Sequence, residues 1–110
     1  MTVKLKLLEA PPDWWGTAKI TVPGQPEPVE IEVKWRYKDR PAFNAWFAAI
    51  TAGGDTDEAA LMLEVISDWK GPDMPCSHEA VTKLLNWSVP SGAELFRAYR
   101  RALSESRVKN

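Results

Sequence analysis

The hydrophobic period of the chain changes near residue 38, and that change constrains the fold more than any other feature. Before it, apolar residues alternate with polar ones. "TVKLKLL" puts Val3, Leu5 and Leu7 on one side and Lys4 and Lys6 on the other. "TAKITV" sets Ala18, Ile20 and Val22 against Thr17, Lys19 and Thr21. "VEIEVKWRY" separates Val29, Ile31, Val33, Trp35 and Tyr37 from Glu30, Glu32, Lys34 and Arg36. Period two with β-branched and aromatic residues predicts three antiparallel strands with one wet face. "PGQPEP" reads as the hairpin loop between the second and third, and "EAPPDWWG" as a stiffer first connection.

After residue 38 the period is helical. "DRPAFNAWFAAIT" places Phe43, Trp46, Phe47 and Ile50 at i, i+3, i+4 and i+7, with Pro41 in the tolerated first turn. "DTDEAALMLEVISDW" predicts a second helix, capped by Asp55 with Glu58 three residues on, and striped by Leu61, Met62, Val65, Ile66 and Trp69. Gly71 and Pro72 stop it. Ser77 is placed to cap a third helix, "HEAVTKLLNW", that buries Val81, Leu84 and Leu85 and ends before Pro90. Ser91 and Glu94 form a capping-box pair for the last helix, whose stripe is Leu95, Phe96, Tyr99, Ala102 and Leu103. The expectation is an α+β fold: an N-terminal three-stranded antiparallel sheet, then four helices. It is expected to form a single domain over residues 1–110, with a β-rich part (1–38), a helical part (39–106) and a frayed tail (107–110).

A chain of 110 residues can bury one core. Its net charge of −1 carries no signature of nucleic-acid or membrane binding. One cysteine excludes an internal disulfide. The first residues hold too short an apolar run for a signal peptide, and no stretch approaches the ~18 apolar residues of a membrane span. Six tryptophans are difficult to hide together in a chain this short, so one or two are expected to mark a contact surface.

Chemistry is weakly represented. Cys76 and His78, the only residues of their kinds, lie two apart, with Asp68, Asp73 and Glu79 nearby. A zinc site needs three or four ligands at recognisable spacing, and a Cys–His pair needs its imidazole against the thiol with a third group orienting it. The residues fit a helix start better, with Ser77 as cap. No phosphate-cradling loop, GxSxG, HExxH or CxxC is present, so no enzyme, cofactor or metal is expected. Arg97, Arg100, Arg101 and Arg107 cluster in the last helix, but Phe96 and Tyr99 fall on its apolar stripe, which makes nucleic-acid binding a weak reading.

"VISDWKG…SHEAVTKLL", followed by "AELFRAYRRALSESRVKN", resembles the tail assembly chaperones of long-tailed bacteriophages. The residues that carry the likeness are Trp69-Lys70-Gly71, Ser77 to Leu85, Tyr99 to Leu103, and Arg107, Lys109 and Asn110. It is close over 55–110 and holds in outline over the strands. The connector "PDMPC" and the tryptophan count depart from the pattern. The resemblance implies a strand-rich N-terminus, a helix ending in W-x-G, a connector and a final amphipathic helix. It implies a non-enzymatic protein of the host bacterial cytoplasm, absent from the mature virion. Such a protein coats and solubilises the tape measure protein and helps recruit tail tube subunits, with possible self-association. It also implies a longer form made by translational frameshift that contacts the tube protein. Lys109 and Asn110, both encoded by adenine-rich codons, suit a slippery site.

An apolar groove for a helical client would draw on Trp46, Phe47, Met62, Trp69, Trp87 and Phe96. Two rival readings stand beside this one. One is a small phage-encoded regulatory or interaction module that binds protein or nucleic acid, and the other is a structural component retained in the tail.

Overall fold

A computed structural model describes residues 5–54 and 56–105. Strand β1 (Trp14–Ile20) and strand β2 (Val29–Trp35) form a hairpin, and β3 (Ile66–Lys70) pairs with the far side of β2. All pairing is antiparallel, in the order β1-β2-β3. Four helices complete the described chain: α1 (Arg40–Ala52), α2 (Glu58–Leu63), α3 (His78–Trp87) and α4 (Ser91–Ser104). The α+β class, the three-stranded antiparallel sheet and the four helices are those expected.

The identity of one strand differs. Residues 5–8 of the expected first strand form no strand, and residues 2–4 lie outside the described residues. The third strand comes instead from residues 66–70, inside the expected second helix, so the helical part is interrupted and the W-x-G segment ends a strand. A bulge explains how the strand was disguised. Lys34 faces Asp68 and Trp35 faces Ile66, so Ser67 is the extra residue, with its hydroxyl donating to the Lys34 carbonyl at 3.3 Å. A bulge turns the side-chain period of two into three locally. Ile66 and Trp69 therefore both reach the buried face while spaced as they would be on a helix.

Alternation elsewhere behaves as the pattern predicts. Ala18, Ile20, Ile31, Val33 and Trp35 are buried with Ile66 and Trp69 beneath the helices. Glu30, Glu32, Lys34 and Lys19 point the other way, where Lys34 lies opposite Asp68 and Glu32 opposite Lys70. Trp15 shares that outer face, half-buried, with the Lys70 ammonium 4.6 Å from its ring centre. Strand β1 begins at Trp14, earlier than expected, and takes in Gly16. A side chain there would meet the Trp35 indole, with a Cβ only 2.6 Å from Nε1. Glycine at this position lets the largest core side chain lie flat against β1.

The helix starts are partly those anticipated. Ser77 Oγ accepts from Ala80 N at 3.1 Å, as a cap should. Asp39 caps α1 and Asp57 caps α2, while the expected cap Asp55 lies outside the described residues. The capping box ahead of α4 does not form. Ser91 Oγ instead donates to the Ser88 carbonyl at 2.7 Å, and Glu94 turns to the sheet. Its carboxylate accepts from Thr21 N at 2.9 Å and Thr21 Oγ at 2.6 Å, while Ser88 Oγ donates to the Thr21 carbonyl at 2.6 Å. The α3–α4 corner is thereby bonded to the residue that follows β1, which satisfies the backbone there. The expected frayed tail, residues 107–110, lies outside the described residues.

Candidate functional site

The Cys76–His78 pair is taken up by structure. His78 Nε2 sits 2.8 Å from an Asp57 carboxylate oxygen, joining the starts of α2 and α3. Cys76 is half-buried, and burial first, then the nearby Asp68 charge, pushes its thiol above the usual range. A thiol held protonated is a poor nucleophile. Among the described residues no group of three or more His, Cys, Asp or Glu could hold a metal ion, and no helix is long and apolar enough to cross a membrane.

The six aromatic and methionine residues expected to form one groove fall into three places. Met62 is buried in the core. Trp46, Phe47 and Phe96 come together where α1 meets α4. Trp69 and Trp87 belong to a second surface at the hairpin end of the sheet. Trp46 and Trp69 are themselves almost fully covered, and each indole N–H is bonded at 2.8 Å, Trp46 to the Leu61 carbonyl and Trp69 to the Met74 carbonyl. Both act as pins inside the fold: Trp46 ties α1 to α2, and Trp69 holds the turn that follows β3.

The α1–α4 surface is an aromatic ledge. Phe43 and Phe47 lie one turn apart on α1 with nearly parallel rings, centroids 6.4 Å apart. Phe96 of α4 closes against Phe47 at 5.3 Å and against Trp46 at 5.6 Å. Below them Tyr99 is buried, its ring 5.4 Å from those of both Trp35 and Trp46, and its hydroxyl donates to the Arg36 carbonyl at 2.7 Å. The stack thus rises from the sheet to solvent, where Phe47 remains 42% exposed. The fixed rings beneath hold Phe47 in place, which leaves it little rotamer freedom to lose in any contact.

The second surface is an open groove of about 790 Å³ between the hairpin end, the turn after β3 and α3. Val22, Val29, Trp69, Met74, Leu84 and Trp87 give it an apolar lining, and Asp73 and Lys83 add charge. Trp87 is 58% exposed and Val29 is also exposed. The sequence reading named Trp69 and Trp87 here but not Val22, Val29, Met74 or Leu84. The strand pattern had assigned the two valines to a covered face. Val22 follows the end of β1 and Val29 opens β2, both at the hairpin end of the sheet.

These two surfaces are apolar areas supported by rigid packing, an arrangement suited to holding another chain. Comparison with family models agrees: the model described as phage tail assembly chaperone matches residues 1–110, the whole chain. The chain belongs to the phage tail assembly chaperone family, a family of non-enzymatic assembly factors. No curated protein and no solved structure matches it.

Proposed function

We propose that this chaperone holds the tape measure protein in solution during tail assembly, with the α1–α4 ledge as its contact for client helices. The whole-chain family match carries the reading. The ledge supports it physically, because an amphipathic helix presents apolar residues at i, i+3, i+4 and i+7, and a ridge of Phe43, Phe47 and Phe96 can accept such a stripe without reading its sequence. Many weak contacts along a long client add up to firm retention. The protein acts in the host cytoplasm, leaves as the tube polymerises and is missing from the finished particle. A frameshifted longer form recruits the tube protein.

Co-expression tests the central point. The tape measure protein of the same phage should be soluble with the wild-type chaperone and largely insoluble with Phe47→Ser or Phe47→Ser/Phe96→Ser. Equal solubility with and without the chaperone would sink the reading. Mass spectrometry of purified particles checks the departure of the chaperone. A slippery heptamer with a long overlapping frame in the gene checks the extended form.

A further inference from the structure

The rim of the α1–α4 ledge carries charge that the fold leaves unused. Helices α1 and α4 contain four arginines, Arg40, Arg97, Arg100 and Arg101, against one carboxylate, Glu94. The whole chain has a net charge of −1, so these two helices stand out as positive. Glu94 is committed to Thr21, and the neighbouring Asp39 accepts from Ala42 N as the cap of α1. All four arginines are exposed, and no side chain among the described residues pairs with any of them.

Helix geometry places these charges. Arg40 precedes Phe43 and Phe47 at i, i+3 and i+7, on the stripe of α1 that bears the ledge. Arg97 follows Phe96, and Arg100 lies one turn beyond Phe96 on the same side of α4. The rings give the relative direction of the two helices. Phe96 is nearer Phe47, at 5.3 Å, than Phe43, at 6.3 Å. Three residues on, Tyr99 meets Phe43 at 6.3 Å and Trp46 at 5.4 Å. Helix α4 therefore runs back along α1, from the Phe47 end of the ledge to the Phe43 end, and Arg100 comes to the same end as Arg40. Arg101 is on the other flank of α4, where it lines a cleft with Trp14 and Ala98.

We infer that the ledge selects acidic amphipathic helices, client segments with Glu or Asp flanking the apolar stripe. The inference rests on the reading of the ledge as the client contact and adds what the client must carry. An apolar ridge alone accepts any amphipathic helix. Unpaired arginines along its rim attract carboxylates beside the stripe and repel lysines there. Exposed charge pairs are individually weak, so the selection comes from Arg40, Arg97 and Arg100 together. Nucleic acid is the other polyanion that arginines hold, but Phe47 already stacks with Phe43 and Phe96, which occupies the ring faces a base would need.

Synthetic peptides of about 20 residues, all with one leucine stripe at i, i+3, i+4 and i+7, test it by calorimetric titration into the purified full chain. The first carries Glu beside the stripe. The second has the same composition with its Glu on the opposite face, and the third carries Lys beside the stripe. At low salt the first should bind about fivefold more tightly than the second, and the third should bind most weakly. High salt should shrink the differences. Arg40→Glu/Arg100→Glu should reverse the order of the first and third peptides. Arg101→Glu, a charge reversal outside the ledge, should leave the wild-type order. Phe47→Ser should weaken all three. Peptides bound alike by the wild type but lost with Phe47→Ser would overturn the acid selection and leave the client contact standing. Binding indifferent to Phe47→Ser, or no binding at all, would overturn the selection together with the ledge as its seat. An oligothymidylate bound more tightly than the first peptide would also overturn it, by assigning the arginines to nucleic acid.

Discussion

Two tryptophans on different helices show how differently this chain uses one residue type. Trp46 is buried, bonded through its indole to Leu61 and packed against Phe96 and Tyr99. Trp87, at the end of α3, is more than half exposed and borders an open groove. Residues of the first kind hold the fold, and those of the second are available to something outside it. The contrast predicts opposite outcomes for one substitution. Trp46→Ala should destabilise by about 3–5 kcal/mol, enough to unfold much of a marginal domain. Trp87→Ala should stay within about 0.5 kcal/mol. Urea denaturation of both variants reads the difference, and similar losses would break the division between core and surface tryptophans.

Gly16 sharpens the comparison on the sheet side. Its missing side chain lets Trp35 lie against β1, and the Trp35 Nε1 hydrogen finds no acceptor among the described residues. Gly16→Ala would force that ring away from its bed between β1 and Tyr99, costing about 1–3 kcal/mol by overpacking. The loss should appear as a lower urea midpoint with an unchanged slope.

How much of this was legible in the residues depends on how local the signal was. Strand β2 and helices α1, α3 and α4 follow from unbroken periods. The strand at 66–70 was hidden because the Ser67 bulge gives Ile66 and Trp69 a helical spacing, and because "TVKLKLL" offered a more regular strand. Only tertiary pairing with β2 distinguishes the two. The contact residues were legible by type but not by place. Large apolar side chains such as Phe47 and Met62 look alike in a stripe, and depth is fixed by which helix covers which. Leu7 and Leu8 fall within the expected first strand, although Leu8 breaks the alternation and two prolines follow.

Tyr99 supplies the next smaller effect. Burial first, and the neighbouring Tyr37, push its phenol from the ordinary 10.0 up to about 12. Its stabilising contribution is complete below pH 10 and is lost as pH rises through about 12, because the unfolded chain releases the proton first. Tyr99→Phe removes the bond to the Arg36 carbonyl at a cost of about 1 kcal/mol at neutral pH. It should also flatten the decline in stability above pH 10. An alkaline limb identical in both proteins would place that titration elsewhere.

The smallest effect lies at the exposed joint of α2 and α3. Asp57 is held below its ordinary value of 3.8, first by the Ala60 N–H that it caps and then by His78. Its contribution is therefore present above about that value and is lost as pH falls through the lower folded value, where protonation is finally forced. His78→Ala removes the second influence and leaves the first. The acid limb of the stability curve should consequently move only slightly toward neutral pH, whereas Asp57→Ala should remove the dependence altogether. A His78→Ala curve that matches Asp57→Ala would mean that the imidazole, rather than the helix N-terminus, holds this carboxylate ionised.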